Sequence, residues 1–304
     1  MSVDNIKKIC VVGAGNMGHQ IALQAAISGY RVACTDASEA ALKQANQFAD
    51  TYLPERVAKG KLPAEQATQA RENISFYSSL NEAAEDADFV IEAVTEKLDL
   101  KRQIFGELDS ICPPHAILAT NSSFIVSSKI AGVTSRPGQV CNMHFFNPAL
   151  VMKLVEVVQG PHTSGETAQT TVELARRLGK TPVLLKKEIY GFLVNRILLA
   201  LNQEALFLLD QQIASAEDID MAVVNALGHP LGPFRLLDLT GIDLAYYIGM
   251  ERYQETGNPS DKPSPTVVEK FARGEWGRKV GKGFYVYTGV EQRDQNQDQR
   301  IARN

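Results

Sequence analysis

Residues 8–22 read KICVVGAGNMGHQIA. A short apolar run passes directly into a G-x-G-x-x-G at Gly13, Gly15 and Gly18, with Asn16 and Met17 between the last two glycines, and then into a helical pattern. Few folds accommodate that succession. The first glycine makes the tight turn, the second lets backbone approach a pyrophosphate, and the third permits close packing of helix on strand. The helix start presents unpaired N–H groups and a positive dipole end to the phosphates. Asp36 closes the next strand-like run, RVACTD. A carboxylate there can accept from the adenosine ribose hydroxyls and would repel a 2′-phosphate. The expectation is a dinucleotide-binding unit that takes NAD rather than NADP. Related loops also hold FAD or S-adenosylmethionine.

The next part of the chain repeats the same alternation. Further strand candidates are FVIEAV, AILATN, QVCNMHFF, KLVEVVQ and TPVLLKK, and helical patterns cover 16–28, 39–58, 97–110 and 165–178. Alternating strands and helices predict a parallel α/β sheet. Pro54 stands inside the second helical pattern and should kink or end it. After residue 188 strand signals nearly cease. The stretch 191–210, GFLVNRILLALNQEALFLLD, is apolar around most of a helix, which predicts burial in a domain or a subunit interface. The fold class expected is α/β: a Rossmann-type dinucleotide-binding domain over 1–188, followed by a smaller all-α domain over 189–304. The polar tail EQRDQNQDQRIARN should fray.

A length of 304 residues suits two such domains. A net charge of −4 offers no footprint for nucleic acid. No apolar run reaches the roughly 18 residues that a membrane span needs. The N-terminus lacks both the apolar core of a signal peptide and the Arg-rich pattern of a transit peptide. Cys10, Cys34, Cys112 and Cys141 show no C-x-x-C and no metal spacing. Three of them sit in apolar strand-like runs as small hydrophobes, which points to a reducing compartment, most simply the cytoplasm.

His144 closes the strand QVCNMHFF at the carboxyl edge, where open α/β sheets place their ligands. Glu156 lies on the following strand-like run, so a fold-back would bring the two together. Spacing alone leaves open whether His144 is a catalytic base or a core ring. TNSSF, 120–124, ends a strand at the same edge and offers Ser122 and Ser123. GFLVNR places Asn195 and Arg196 at the start of the helical domain, expected to face the cleft between domains. His19, His115, His162 and His229 are expected to pack or to face solvent.

Taken together, VVGAGNMGHQIA, FVIEAVTEKLDLKRQIF, ATNSSF, MHFFNPALVMKLVEVV, GFLVNRIL, LGHPLGPFRLLDLTGID and GRKVGKGFYVY, in this order from residue 7 to about 288, resemble the 3-hydroxyacyl-CoA dehydrogenase family, close to its short 3-hydroxybutyryl-CoA members. The resemblance implies NAD-dependent interconversion of an L-3-hydroxyacyl-CoA and the 3-ketoacyl-CoA. It implies His144 as base, Glu156 as its partner, and Ser123 and Asn195 on the substrate oxygen. Glu96, Lys101 and Asn147 match positions that contact the nicotinamide half of NAD; without the resemblance, Glu96 and Lys101 read equally well as a solvated helix face. Lys59 and Lys61 lie where family members contact CoA, but Pro54 disturbs the alignment there, and the two read equally well as a solvated lysine pair. A homodimer through the helical domain is implied too. Two departures fall near the acyl pocket, Phe124 in NSSF and Tyr190 before Gly191. Two other readings stand beside this one. A relative acting on a free hydroxy acid or on carnitine would share the motifs. A non-catalytic NAD-binding protein would not need His144, Glu156, Ser123 and Asn195 together.

Overall fold

The computed structural model describes residues 2–287; the tail expected to fray lies outside them. The chain divides into two compact units, Met1–Leu193 and the residues from Val194 on. The division falls later than residue 188 because the intervening residues are tied to the first unit. Glu188 accepts from Ser127 and from the Ser128 amide, and Leu193 donates to Glu156.

The first unit is built on eight strands: β1 (Lys8–Val12), β2 (Arg31–Thr35), β3 (Ile74–Tyr77), β4 (Phe89–Glu92), β5 (Ile117–Thr120), β6 (Val140–Phe145), β7 (Leu154–Val158) and β8 (Thr181–Leu185). Seven helices accompany them: α1 (Gly18–Ile27), α2 (Glu39–Ala58), α3 (Ala64–Asn73), α4 (Leu80–Ala84), α5 (Leu98–Ile111), α6 (Ser128–Ala131) and α7 (Gly165–Arg177). The sheet runs β3-β2-β1-β4-β5-β6-β7-β8. Its middle strands are apolar at nearly every position because both faces are covered. Successive residues serve opposite cores: Ile9 and Val11 pack on one side, with residues of α1, α2, α3 and α7, and Cys10 and Val12 on the other, with residues of α4, α5 and α6. All four cysteines are buried and free, and burial pushes their thiols up, that of Cys34 to about 12 and those of Cys112 and Cys141 to about 11.

Four expectations need correction. The sheet is not wholly parallel, since β6 and β7 pair antiparallel. Their connection is a short loop rather than a helix, so the chain can only return beside itself. β3 carried no recognised strand pattern, because an edge strand only partly buried needs few apolar residues. Of the two outcomes expected at Pro54, an end is excluded: α2 continues through it to Ala58, held by Leu53 and Val57, which pack on the core on either side of the proline. The stretch 191–210 is not helical throughout: Gly191 and Phe192 take positive φ values of 72° and 47°, and the helix begins at Val194.

The second unit contains α8 (Val194–Asp210), α9 (Ala216–Leu227), α10 (Pro233–Thr240), α11 (Ile242–Thr256) and α12 (Pro265–Ala272). Ala205, Leu206, Ile219, Phe234, Leu237 and Val267 form part of its core. Buried Asp220 accepts the Phe234 and Arg235 amides at the start of α10. Buried Asp238 fastens the segment after α12 by accepting from the Phe284 and Tyr285 amides and the Tyr287 hydroxyl. α8 is not buried within a domain, one of the two settings expected for it. Ala205 and Leu206 are its only fully buried residues, while Ile197 is 63% and Phe207 55% exposed. Among the described residues no helix is long and apolar enough to cross a membrane.

Candidate active site

The glycine loop has the geometry that its spacing requires. Gly13 has a φ of 103°, and a Cβ there would stand 2.7 Å from the Ala93 carbonyl oxygen. A Cβ on Gly18 would stand 1.7 Å from the Gly13 oxygen, so α1 can start this close to the turn only with glycine. At Gly15 the added Cβ would meet open space. Backbone is therefore accessible to a ligand at that residue. Met17 makes no side-chain cap on α1, which leaves the helix start for an anion. Asp36 sits beside this loop, one oxygen accepting the Ala14 amide at 2.7 Å and the other the Ser38 amide at 2.8 Å. Each oxygen keeps a further lone pair for a ribose hydroxyl. An accessible backbone, an uncapped helix start and a fixed carboxylate together fit a dinucleotide.

His144 and Glu156 face one another across β6 and β7 as a register pair. The imidazole is buried, and its Nδ1 lies 2.9 Å from Glu156 Oε2. The carboxylate only accepts, so Nδ1 carries the hydrogen and Nε2 presents its lone pair. Ser123 Oγ is 3.0 Å from Nε2. The other oxygen of Glu156 accepts the Leu193 amide at 3.0 Å. Phe146 and Phe192 pack against the imidazole, with ring centroids at 4.6 and 5.5 Å. Such a group can take a proton at Nε2 while the carboxylate compensates the charge that forms.

The structure also separates the two serines. Ser122 turns away from His144, donating to Glu96 and accepting the Ile125 amide at 2.7 Å. The difference comes from the turn after β5, whose end is held by Asn121 accepting the Phe145 amide. Glu96 also accepts the Phe124 amide and pairs with Lys101 at 3.3 Å.

Lys101 does not lie on a solvated face. It is buried, and its Nζ donates to the two oxygens of Glu92 at 2.8 and 3.0 Å. Glu92, fully buried at the end of β4, further accepts from Thr120 Oγ1 and the Val94 amide. The sequence reading passed over it. The available signal was a carboxylate closing the otherwise apolar strand FVIE. Asn147 follows β6 and accepts at 3.1 Å from Asn16 of the glycine loop, which joins the two ends of the site.

Lys59 caps α2 and pairs with Glu55, and Lys61 is exposed in the turn before α3. Asn195 is half-buried in the first turn of α8, in the second unit. Phe124 and Tyr190, the two departures expected near the acyl pocket, pack with tilted rings whose centroids are 5.1 Å apart, immediately after Ser123 and before Gly191. His19 packs edge-on to Phe48 with Nδ1 on the Gly15 carbonyl, and burial lowers its pKa. His115 pairs with Asp88.

Open α/β sheets bind ligands outside the carboxyl ends of their strands. Here that edge joins a pyrophosphate loop to an imidazole able to accept a proton, as hydride transfer from an alcohol requires. The class is that of the dinucleotide-dependent dehydrogenases. Comparison with known proteins narrows it. Residues 8–189 match the model of the 3-hydroxyacyl-CoA dehydrogenase NAD-binding domain, and 191–287 that of the C-terminal domain. A probable 3-hydroxybutyryl-CoA dehydrogenase of Bacillus subtilis is 40% identical over 93% of this chain and 98% of its own. The human mitochondrial hydroxyacyl-coenzyme A dehydrogenase is 38% identical over 93% and 91%. The crystal structure of (S)-3-hydroxybutyryl-CoA dehydrogenase from Ralstonia eutropha matches with a TM-score of 0.87 at 37% identity, covering 93% of this chain and all of that one. The chain belongs to the 3-hydroxyacyl-CoA dehydrogenase family and is an NAD-dependent oxidoreductase.

Proposed function

We propose that this chain interconverts an L-3-hydroxyacyl-CoA, such as 3-hydroxybutyryl-CoA, and the corresponding 3-ketoacyl-CoA, with His144 as the base. The observation that carries the reading is the relay Ser123 Oγ–His144–Glu156, at 3.0 and 2.9 Å, on the sheet edge that bears the glycine loop. In oxidation Nε2 of neutral His144 takes the 3-hydroxyl proton. Glu156 holds the tautomer and offsets the imidazolium charge. Ser123 hydrogen-bonds the reacting oxygen; Asn195 is assigned to that oxygen on the resemblance alone. NAD, when bound, supplies the hydride acceptor for C3. Gly13, Gly15, Asn16, Met17, Gly18 and Asp36 would hold the pyrophosphate and adenosine ribose; Glu96 and Asn147 would face the nicotinamide half, with Lys101, assigned there on the resemblance, buried behind Glu96 as its ion-pair partner. Lys59 and Lys61 are assigned to the CoA moiety on the resemblance.

The exposed apolar residues of the helical unit, among them Ile197, Phe207, Ile213 and Leu227, support a homodimer through that unit. Four buried, unoxidised cysteines support the cytoplasm. The test of the activity is steady-state oxidation of NADH by acetoacetyl-CoA, with free acetoacetate in a parallel arm and free CoA as competitor. Turnover of the thioester with competitive inhibition by CoA is expected. Equal turnover of free acetoacetate, with no effect of CoA, would replace the acyl-CoA by a free acid. No turnover of either would leave a protein that only binds the nucleotide.

A further inference from the structure

Two lysines are buried among the described residues, Lys101 and Lys180. Lys101 lies between two carboxylates. Lys180 differs. Among the described residues no carboxylate pairs with it, and its Nζ donates instead to two backbone carbonyls, Ala149 O at 2.6 Å and Met152 O at 3.0 Å. A charge taken out of water without a counter-ion costs several kcal/mol, so its retention calls for a reason beyond filling space. Burial accordingly pulls its pKa down to about 8.

Both carbonyls belong to the loop between β6 and β7, which begins directly after the His144–Phe145–Phe146 run and carries Asn147. On its other side the loop is tied to the glycine loop. The Leu150 amide donates to Gln20 Oε1 at 3.4 Å, and Gln20 Nε2 donates to the carbonyl and the Oδ1 of Asn16. With Oδ1 engaged by Gln20, the Asn16 amide is oriented to donate through Nδ2 to Asn147 Oδ1. The Asn147 amide nitrogen then has no protein acceptor among the described residues and is offered outward. The loop is thus gripped at two points, by neutral hydrogen bonds at the glycine loop and by one ammonium at its far end.

We propose that Lys180 is a positioning residue for the cofactor site, clamping loop 147–152 so that Asn147 stands in register with the glycine loop. It touches neither cofactor nor substrate, and the inference rests on the reading that Asn147 faces the nicotinamide half of NAD. The geometry makes Lys180 and Asn147 parts of one device, so their effects on NADH binding should not be independent.

The test is a double-mutant cycle on the full chain, reading NADH Kd by fluorescence titration and KM against kcat with acetoacetyl-CoA. Asn147→Ala should weaken NADH binding by roughly 10-fold, in the range of a lost hydrogen bond. Lys180→Met should weaken it by a similar factor, raising KM for NADH more than it lowers kcat. The double variant should bind only about as weakly as either single one. Full additivity of the two effects would overturn the clamp, as would wild-type affinity in Lys180→Met. Should Lys180→Met not fold, Lys180→Gln enters the same cycle under the same criteria. Wild-type NADH affinity in Asn147→Ala alone is a distinct result: it would remove Asn147 from the cofactor site and overturn the reading on which the clamp rests.

Discussion

At the carboxyl edge of the sheet, charged and polar side chains are buried; across the helical unit, large apolar ones stand in solvent. Glu92, Lys101, His144, Glu156 and Thr120 are all nearly inaccessible, yet each has hydrogen-bond partners within the first unit. Ile197, Phe207, Ile213, Met221, Leu227 and Tyr247 are each more than half exposed. Both regions depart from the ordinary distribution of residues, and each departure has a different cost. A buried charge is expensive unless paired, so the edge is tolerable only as a closed network. Apolar surface in water is individually cheap but collectively unfavourable, so the helical unit gains by being covered. The first pattern suits the chemistry proposed for the sheet edge, and the second the association proposed for the helical unit.

The comparison is broken most severely at His144. If the buried pair at the edge performs proton transfer, His144→Ala should lower turnover by roughly 10²–10⁴-fold, with NADH binding close to wild type by fluorescence titration. A variant that keeps most of its turnover would reduce the pair to structure. Next is the ion pair behind it. Glu92→Gln leaves the Lys101 ammonium buried with a single, partly exposed carboxylate, and should cost about 3–5 kcal/mol of stability in chemical denaturation. Adding Lys101→Met should restore much of that loss. A cost below about 1 kcal/mol would show that the edge does not need closed pairing.

The helical unit can be tested in the same spirit. Phe207→Asp should shift the proposed dimer towards monomer in sedimentation, by about 2–4 kcal/mol if Phe207 anchors the interface. A wild type that sediments as a monomer at micromolar concentration would remove association as the reason for the exposed face. The smallest effect concerns Lys180, which among the described residues is buried without a carboxylate partner. Its folded pKa of about 8 lies below the unfolded 10.5. Between those values the unfolded chain binds more protons, so this residue's contribution to stability rises with pH, is complete above 10.5 and is lost as pH falls through about 8. The difference in unfolding free energy between wild type and Lys180→Met should therefore move in favour of wild type by up to about 2 kcal/mol from pH 8 to 9.5.

Much of this site was legible before any coordinates. The glycine loop and Asp36 could be read because turn, helix start and strand end are determined within a few residues of one another. The His144–Glu156 pairing was half legible: the spacing allowed a fold-back, but only the antiparallel register sets the two opposite each other. Other residues offered no local signal. Nothing in NSSF distinguishes a serine that meets His144 from one that meets Glu96. Lys101 carries the same letter whether solvated or buried. Phe192 gives no hint that its backbone will turn left-handed and place its ring against the imidazole.

The sequence by itself determined the α/β class, the alternation of elements, the nucleotide loop and the identity of the groups at the sheet edge, because each depends on short-range pattern and intrinsic backbone preference. Only the tertiary structure decided which of those groups are partners, which charges lose water, and which apolar residues of 191–210 remain uncovered. Those outcomes depend on contacts between residues far apart in the chain, such as Glu92 with Thr120 or Lys180 with Met152. Burial, unlike helix or turn preference, is a property of the neighbours and not of the residue.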